Sequence, residues 1–184
     1  MKTGFSVFIT LLILMSCNGP EPRKPVQNKS RSFFKASIER SQNLLKVEEQ
    51  KIQEIIKTDS LKYYSHTAFG AWYHYLVVND SVNYTPKTDD LVLLTYDLFT
   101  LENDTLYSRE EIGVVSYKVD KQELFIGLRN AVKLLKEGEK ATFLFPSSLA
   151  FGIHGDSEKI GINVPLKATI RILKIQKQQL KSDI

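Results

Sequence analysis

Cysteine occurs once in these 184 residues, at Cys17. One thiol closes no internal disulfide and cannot build a Cys-based zinc cage. Histidine is nearly as scarce: His66, His74 and His154 lie far apart and show no metal-ligand spacing. Each reads as a surface or packing histidine, and no carboxylate partner can be picked for any of them. The G-x-S-x-G elbow, the P-loop and the dinucleotide fingerprint are all missing, so a hydrolase or nucleotide enzyme has no constellation to rest on. Nothing calls for a cofactor or a metal. An excess of one charge is lacking too. The 25 Lys and Arg stand against 21 Asp and Glu, a net of +4, and the basic residues form no stripe interleaved with aromatics. The composition therefore argues against nucleic acid as a partner.

Long apolar runs are also missing. The longest, Phe5 to Met15, has 11 residues. That is short for a bilayer span and within the range of a signal-peptide apolar stretch. It follows Lys2 and closes on Leu14-Met-Ser-Cys17, which resembles the lipobox of bacterial lipoproteins. The resemblance implies a signal at 1–16, cleavage before Cys17, and a lipidated sulfur and acylated amine on that cysteine. A plain secretory signal with an incidental cysteine is the alternative reading. Asn18-Gly-Pro-Glu-Pro-Arg-Lys-Pro25 then holds three prolines in eight residues, and polar residues continue to Ser32. Residues 17–32 read as a flexible tether that would hold a folded part off a membrane surface.

Residues 33–60 change character. Phe34, Ile38, Leu45, Ile52 and Ile56 fall at steps of four or seven, and no Gly or Pro interrupts Phe33–Lys57. The pattern predicts an amphipathic helix. It either packs on its own domain or serves dimerisation or partner docking. Strands are predicted at Trp72–Val78, Leu91–Leu101, Thr105–Tyr107, Val114–Val119, Lys140–Phe145 and Lys167–Ile175, from alternating β-branched and aromatic residues. Turn chemistry separates them at Asn79–Ser81, Pro86–Asp90 and Glu102–Asp104, and Glu110-Glu111 reads as a solvated turn pair. Leu124, Leu128, Ala131, Val132 and Leu135 recur at three and four, with Gly138 placed to end a helix. Antiparallel strands with one short helix predict an α+β domain over 69–176, a curved sheet wrapped on a central helix. The polar tail, 177–184, is expected to fray.

Aromatic and aliphatic side chains gather at element ends: Tyr96, Tyr107, Phe125, Phe151 and Val164. Any one of them alone reads as ordinary core. Their order is more telling. ELFIGLRNAVKLLKEGEKA (Glu123–Ala141), then FPSSLAFG (Phe145–Gly152), then VPLKATI (Val164–Ile170) resembles the C-terminal half of the FKBP-type peptidyl-prolyl isomerases. With the Leu93-to-Tyr107 hairpin the resemblance covers about residues 88 to 176. A lipobox, tether and helix ahead of such a domain are similar to the FKBP-type lipoproteins of gliding Gram-negative bacteria. Implied, then, are an FKBP-like fold preceded by a helical extension, and isomerase activity on proline-containing polypeptides. The resemblance also implies a membrane-anchored place in the bacterial envelope, with the domain in the periplasm, assisting envelope proteins to fold or assemble.

An X-Pro amide faces a barrier of about 18–20 kcal/mol, and twisting the C–N bond breaks amide resonance and shrinks its dipole. An apolar cleft favours that twisted state without a nucleophile or base. By resemblance, Tyr96 lines the cleft floor and Leu106 takes the hairpin aromatic position. Leu124 and Phe125 form the lip, the Phe125 N–H donating to the substrate carbonyl. Leu128 sits at the base, Phe151 at the corner, Val164 on the loop, and Ile172 is a final-strand wall. The sequence departs from the pattern at four places. Phe151 lacks the usual tyrosine hydroxyl, and Tyr107 stands where an aspartate is usual. Leu128 and Ile172 replace larger aromatics.

Overall fold

The computed structural model describes residues 28–178, with side chains from Phe34 onward. Cys17 and the signal peptide lie outside the described residues, as does the tail beyond Gln178. Helix α1 runs Asn28–Thr58. It opens five residues before the boundary expected from the sequence, so residues 28–32, expected in the tether, are helical. After Pro25 no proline or glycine stands in the way, and an established helix propagates until something stops it. The chain divides into two compact units between Glu39 and Arg40. In the first, Phe34 and Ile38 are exposed. From Arg40 the helix belongs to the same unit as the sheet, and is not a separate extension there.

Seven strands follow: β1 (Ser65–His66), β2 (Trp72–Val77), β3 (Leu91–Phe99), β4 (Thr105–Tyr107), β5 (Val115–Lys118), β6 (Lys140–Phe145) and β7 (Leu166–Gln176). They form one antiparallel sheet in the order β1-β2-β6-β7-β3-β4, with β5 also paired to β3. The 3₁₀ turn Ser147–Leu149 and helices α2 (Arg109–Ile112) and α3 (Ile126–Val132) complete the fold. This is the α+β architecture the strand pattern predicted.

Both faces of the sheet are covered, which explains why β6 is buried at five of its six positions. Phe143 and Phe145 face the main core with Leu94, Leu128, Val132, Ile170 and Ile172. Leu144 faces the other way, in a second cluster with Ile52, Trp72 and Leu101, flanked by Ile55 and Ile56 of α1. Period-2 alternation sends neighbours to opposite faces, so a strand covered on both reads as a continuous apolar run. Fully burying each such side chain is worth roughly 1.5–3 kcal/mol.

Three expectations need correction. α3 starts only after Phe125, which is extended, and ends at Val132, not near Gly138: the Leu134 and Leu135 N–H groups bond back three residues, to the Ala131 and Val132 carbonyls, and Leu135 is fully buried. Gly138, at φ +84°, instead turns the chain and donates its N–H to the Ile172 carbonyl. Glu110 and Glu111 lie in α2, whose N-cap Ser108 hydroxyl accepts the Glu111 N–H. At the start of the tail, Gln178 N–H donates to Asp90 Oδ1 at 2.8 Å and Lys177 stacks over Tyr84, so these two residues are tied down.

Candidate functional site

The site is built where the inner face of the sheet meets the segments before α3 and after β6. Tyr96 pairs with Ile170 across β3 and β7 and sits half-buried against the main core. Leu106 and Tyr107 of β4, Leu124 and Phe125 before α3, Phe151 after the 3₁₀ turn and Val164 before β7 are half-buried against that same core. All seven thus pack on one core and keep some exposure, and a ring contact joins Phe125 to Phe151. Leu128 and Ile172 are fully buried. They belong to the core itself: Leu128 on α3, and Ile172 opposite Leu94 within the sheet. In this structure Ile172 offers no open wall.

Aromatic packing fixes the lip. The Phe125 ring lies 5.3 Å from Phe151 and 5.7 Å, edge-on, from Phe145, which stacks on Phe143 at 5.6 Å. Edge-to-face and offset contacts at these distances suit the ring quadrupoles. The glycine of LFIGL makes this possible. A Cβ on Gly127 would lie 2.7 Å from Phe145 Cδ1 and 2.8 Å from the Leu149 carbonyl oxygen, well inside contact distance. Only glycine lets α3 start so close to the 3₁₀ turn.

Two polar groups of these residues lack a partner. Among the described residues, the Phe125 N–H donates to no acceptor, and it lies at the lip next to Phe151. The Tyr96 hydroxyl likewise has no hydrogen-bond partner among the described residues, and burial pushes it above the usual phenol range. Tyr107 is committed elsewhere. Its hydroxyl donates to Asp156 at 2.6 Å and Glu158 at 3.2 Å, and these carboxylates, Asp156 first, hold it well above the usual range. Burial opposes ionisation of Asp156. The Tyr107 hydroxyl and the backbone N–H groups of Glu158 and Ile160 outweigh it and hold that carboxyl low. Lys159 adds a stack on the Tyr107 ring at 4.6 Å and an ion pair with Glu111 at 2.5 Å. The loop from Phe151 to Val164 is therefore clipped to the β4–α2 corner.

Two supports escaped the sequence reading. Asp97, buried, accepts the Arg109 backbone N–H at 2.8 Å and its guanidinium at 3.2 and 2.6 Å, anchoring the corner that carries Leu106 and Tyr107. Glu48 of α1, also buried, accepts the Ser147 N–H at 2.8 Å and hydroxyl at 2.7 Å. The Ser147 carbonyl in turn accepts the N–H groups of Ala150 and Gly152, closing the corner on either side of Phe151. No local signal marks Glu48, since its partner is 99 positions away. Gly155-Asp156, by contrast, is a turn signal that could have flagged the loop clip.

A curved antiparallel sheet over a short helix, with an apolar face rimmed by Phe125 and Phe151, defines the FKBP class. Residues 83–173 match the model of the FKBP-type peptidyl-prolyl cis-trans isomerase family, and the domain belongs to that family. The chain is 29% identical over 157 residues to the probable FKBP-type peptidyl-prolyl cis-trans isomerase FkpA of Neisseria meningitidis serogroup B. That match takes in 84% of this chain but 52% of the relative, so the chain spans about half the length of the curated relative it matches. Among solved structures, a peptidyl-prolyl cis-trans isomerase from Pseudomonas syringae pv. tomato superposes with a TM-score of 0.60 at 17% identity, over 74% of this chain and 96% of its own. FkpA from Escherichia coli gives 0.58 at 19%, over 92% of this chain and 71% of its own. These two likenesses establish the fold.

Proposed function

We propose that this protein is a peptidyl-prolyl cis-trans isomerase acting on proline-containing polypeptides. The observation that carries the reading is that Tyr96, Leu124, Phe125, Phe151 and Val164 are half-buried on the core that holds Leu128, with the Phe125 N–H and Tyr96 hydroxyl unpartnered among the described residues. A planar amide is better solvated by water than by such side chains, and the twisted amide, with its smaller dipole, loses less on meeting them. The Phe125 N–H would hold the substrate carbonyl, and the Tyr96 hydroxyl would add a second donor. Only stabilisation that favours the twisted state over the planar one raises the rate, about tenfold for each 1.36 kcal/mol. The test is cis/trans interconversion of a proline peptide followed with and without the folded protein. Rates equal to buffer would sink the reading.

A second reading, a non-catalytic FKBP-like chaperone or assembly subunit that binds the same segments, is favoured by one observation. Phe151 has no hydroxyl and the Tyr107 hydroxyl is spent on Asp156 and Glu158. Tight binding of a proline peptide without faster interconversion would select it.

Lipidation of Cys17 and attachment to a bacterial envelope membrane belong to the same proposal. They rest on the lipobox and the proline-rich tether. Assistance to envelope proteins, those of gliding machinery among them, and partner docking or dimerisation through Phe33–Lys57 rest on the resemblance and on the exposed Phe34 and Ile38. Metabolic labelling with a fatty-acid analogue should mark the native chain and leave Cys17→Ala unlabelled. Equal labelling of both would refute the anchor.

A further inference from the structure

The outer face of the sheet, opposite the proposed isomerase site, carries a second concavity. Helix α1 covers Trp72 and Leu144, which stand opposite one another on β2 and β6, with Ile52, Ile55 and Ile56. The helix stops at Thr58, short of the next row of outward side chains. His74 stands opposite Thr142, and Thr142 opposite Thr169, in continuous register across β2, β6 and β7. This polar row floors a cleft of about 560 Å³ that Ile55, Leu76 and Phe99 wall with apolar surface.

Its basic groups, Lys62, His74 and Lys167, outnumber its one acid, Asp59. His74 keeps 5% of its surface exposed. Its Nδ1 lies 3.4 Å from the Tyr75 carbonyl, and Nε2 has no hydrogen-bond partner among the described residues. Since no side-chain nitrogen or oxygen sealed from solvent lacks a partner among the described residues, Nε2 keeps some solvent contact, and His74 lines the cleft. Lys167 stacks over Phe99 at 5.0 Å and donates to Asn103 Oδ1, with no carboxylate in ion-pair range among the described residues. The one acid on the rim, Asp59, is already engaged by Lys62 at 2.7 Å and by the Tyr64 hydroxyl at 3.1 Å. Burial lowers both His74 and Lys167 from their ordinary values and Lys62 lowers both further, against the Tyr75 carbonyl at His74 and Asp59 at both. A bound anion would stabilise the Lys167 ammonium in this poor solvation and would favour the protonated form of His74 that burial disfavours.

We propose that this cleft binds a carboxylate carried on a short apolar body, Lys167 and His74 taking the carboxylate and Ile55, Leu76 and Phe99 the chain. Two sources share that chemistry, a free fatty acid and the C-terminal residue of a polypeptide. The site is on the opposite face from Phe125 and Phe151 and does not depend on isomerase activity.

The test is titration of the full chain with octanoate, octanamide and octylamine by calorimetry, and with acetyl-Ala-Leu as free acid and as amide. Octanoate should saturate one site, with octanamide at least about tenfold weaker, a difference that one charge-assisted contact readily supplies. Lys167→Met should weaken octanoate by about tenfold while keeping the apolar stem over Phe99. Octanoate should also move the His74 imidazole titration upward in NMR spectra of the native chain, a readout that needs no variant. Competition by the free-acid dipeptide would identify a polypeptide terminus as the source, and its failure beside octanoate binding a fatty acid. Either supports the site. Amide binding as tight as acid, an unaltered Lys167→Met, a stationary His74 titration or absence of saturation would each overturn it.

Discussion

Glu48 and Ser147, 99 residues apart, share two hydrogen bonds at 2.8 and 2.7 Å in a buried setting. Among the described residues no Lys or Arg neutralises that carboxylate, so the N–H and hydroxyl of Ser147 are what make its burial tolerable. The helix ahead of the domain is thereby fastened to the corner that presents Phe151.

Glu48→Ala should therefore do two things. Losing hydrogen bonds to a charged group costs about 1.5–3 kcal/mol, readable as a lower urea midpoint. With the corner released, kcat/KM for a proline peptide should fall while Cys17 labelling is unchanged. An unaltered midpoint would show that the clasp holds nothing.

Tyr96→Phe removes a hydroxyl without a hydrogen-bond partner among the described residues, so thermal stability should hardly change. If the hydroxyl serves the twisted amide, kcat/KM should drop by about tenfold, one hydrogen bond's worth. The reverse change, Phe151→Tyr, adds a hydroxyl at the corner and should raise kcat/KM by up to about tenfold. Tyr107→Asp is the wrong way to restore the family pattern, because it sets a third carboxylate beside Asp156 and Glu158 and should loosen the loop.

Gly127→Ala puts a methyl group into Phe145 and the Leu149 carbonyl. Overpacking of this kind costs about 1–3 kcal/mol. Because Phe145 meets the Phe125 ring edge-on, activity should fall together with stability. A variant as stable and active as the native chain would mean that α3 can slide away freely.

Acid should weaken the fold through His74. Burial lowers its pKa in the folded chain from the ordinary 6.5, with Lys62 and Lys167 adding and the Tyr75 carbonyl and Asp59 opposing. The unfolded chain thus binds the proton more readily. The stabilisation is complete above about pH 6.5 and is lost as pH falls from there toward the folded value. The melting temperature should decline over that window, and His74→Gln should flatten the decline. A slope unchanged in the variant would assign it to carboxylates instead.

By itself the sequence determined the strand order along the chain and the α+β class. These follow from local periodicity, turn residues and ordered motifs, which are written within a few positions of one another. Tertiary structure decided what depended on distant partners. Whether α3 reached Gly138 depended on the tighter turn beyond Val132, where Leu135 is fully buried. That Tyr107's hydroxyl is consumed by Asp156 depended on how a loop 49 residues away folds back. Leu128 and Ile172 carry the same apolar signal as Phe125, and only packing made them fully buried. The polar row His74, Thr142, Thr169 belongs to three strands and has no trace in any one of them. Short-range pattern sets which face of a strand a residue occupies. What lies across from it is set by the register and the chain's return, and no single stretch of sequence encodes those.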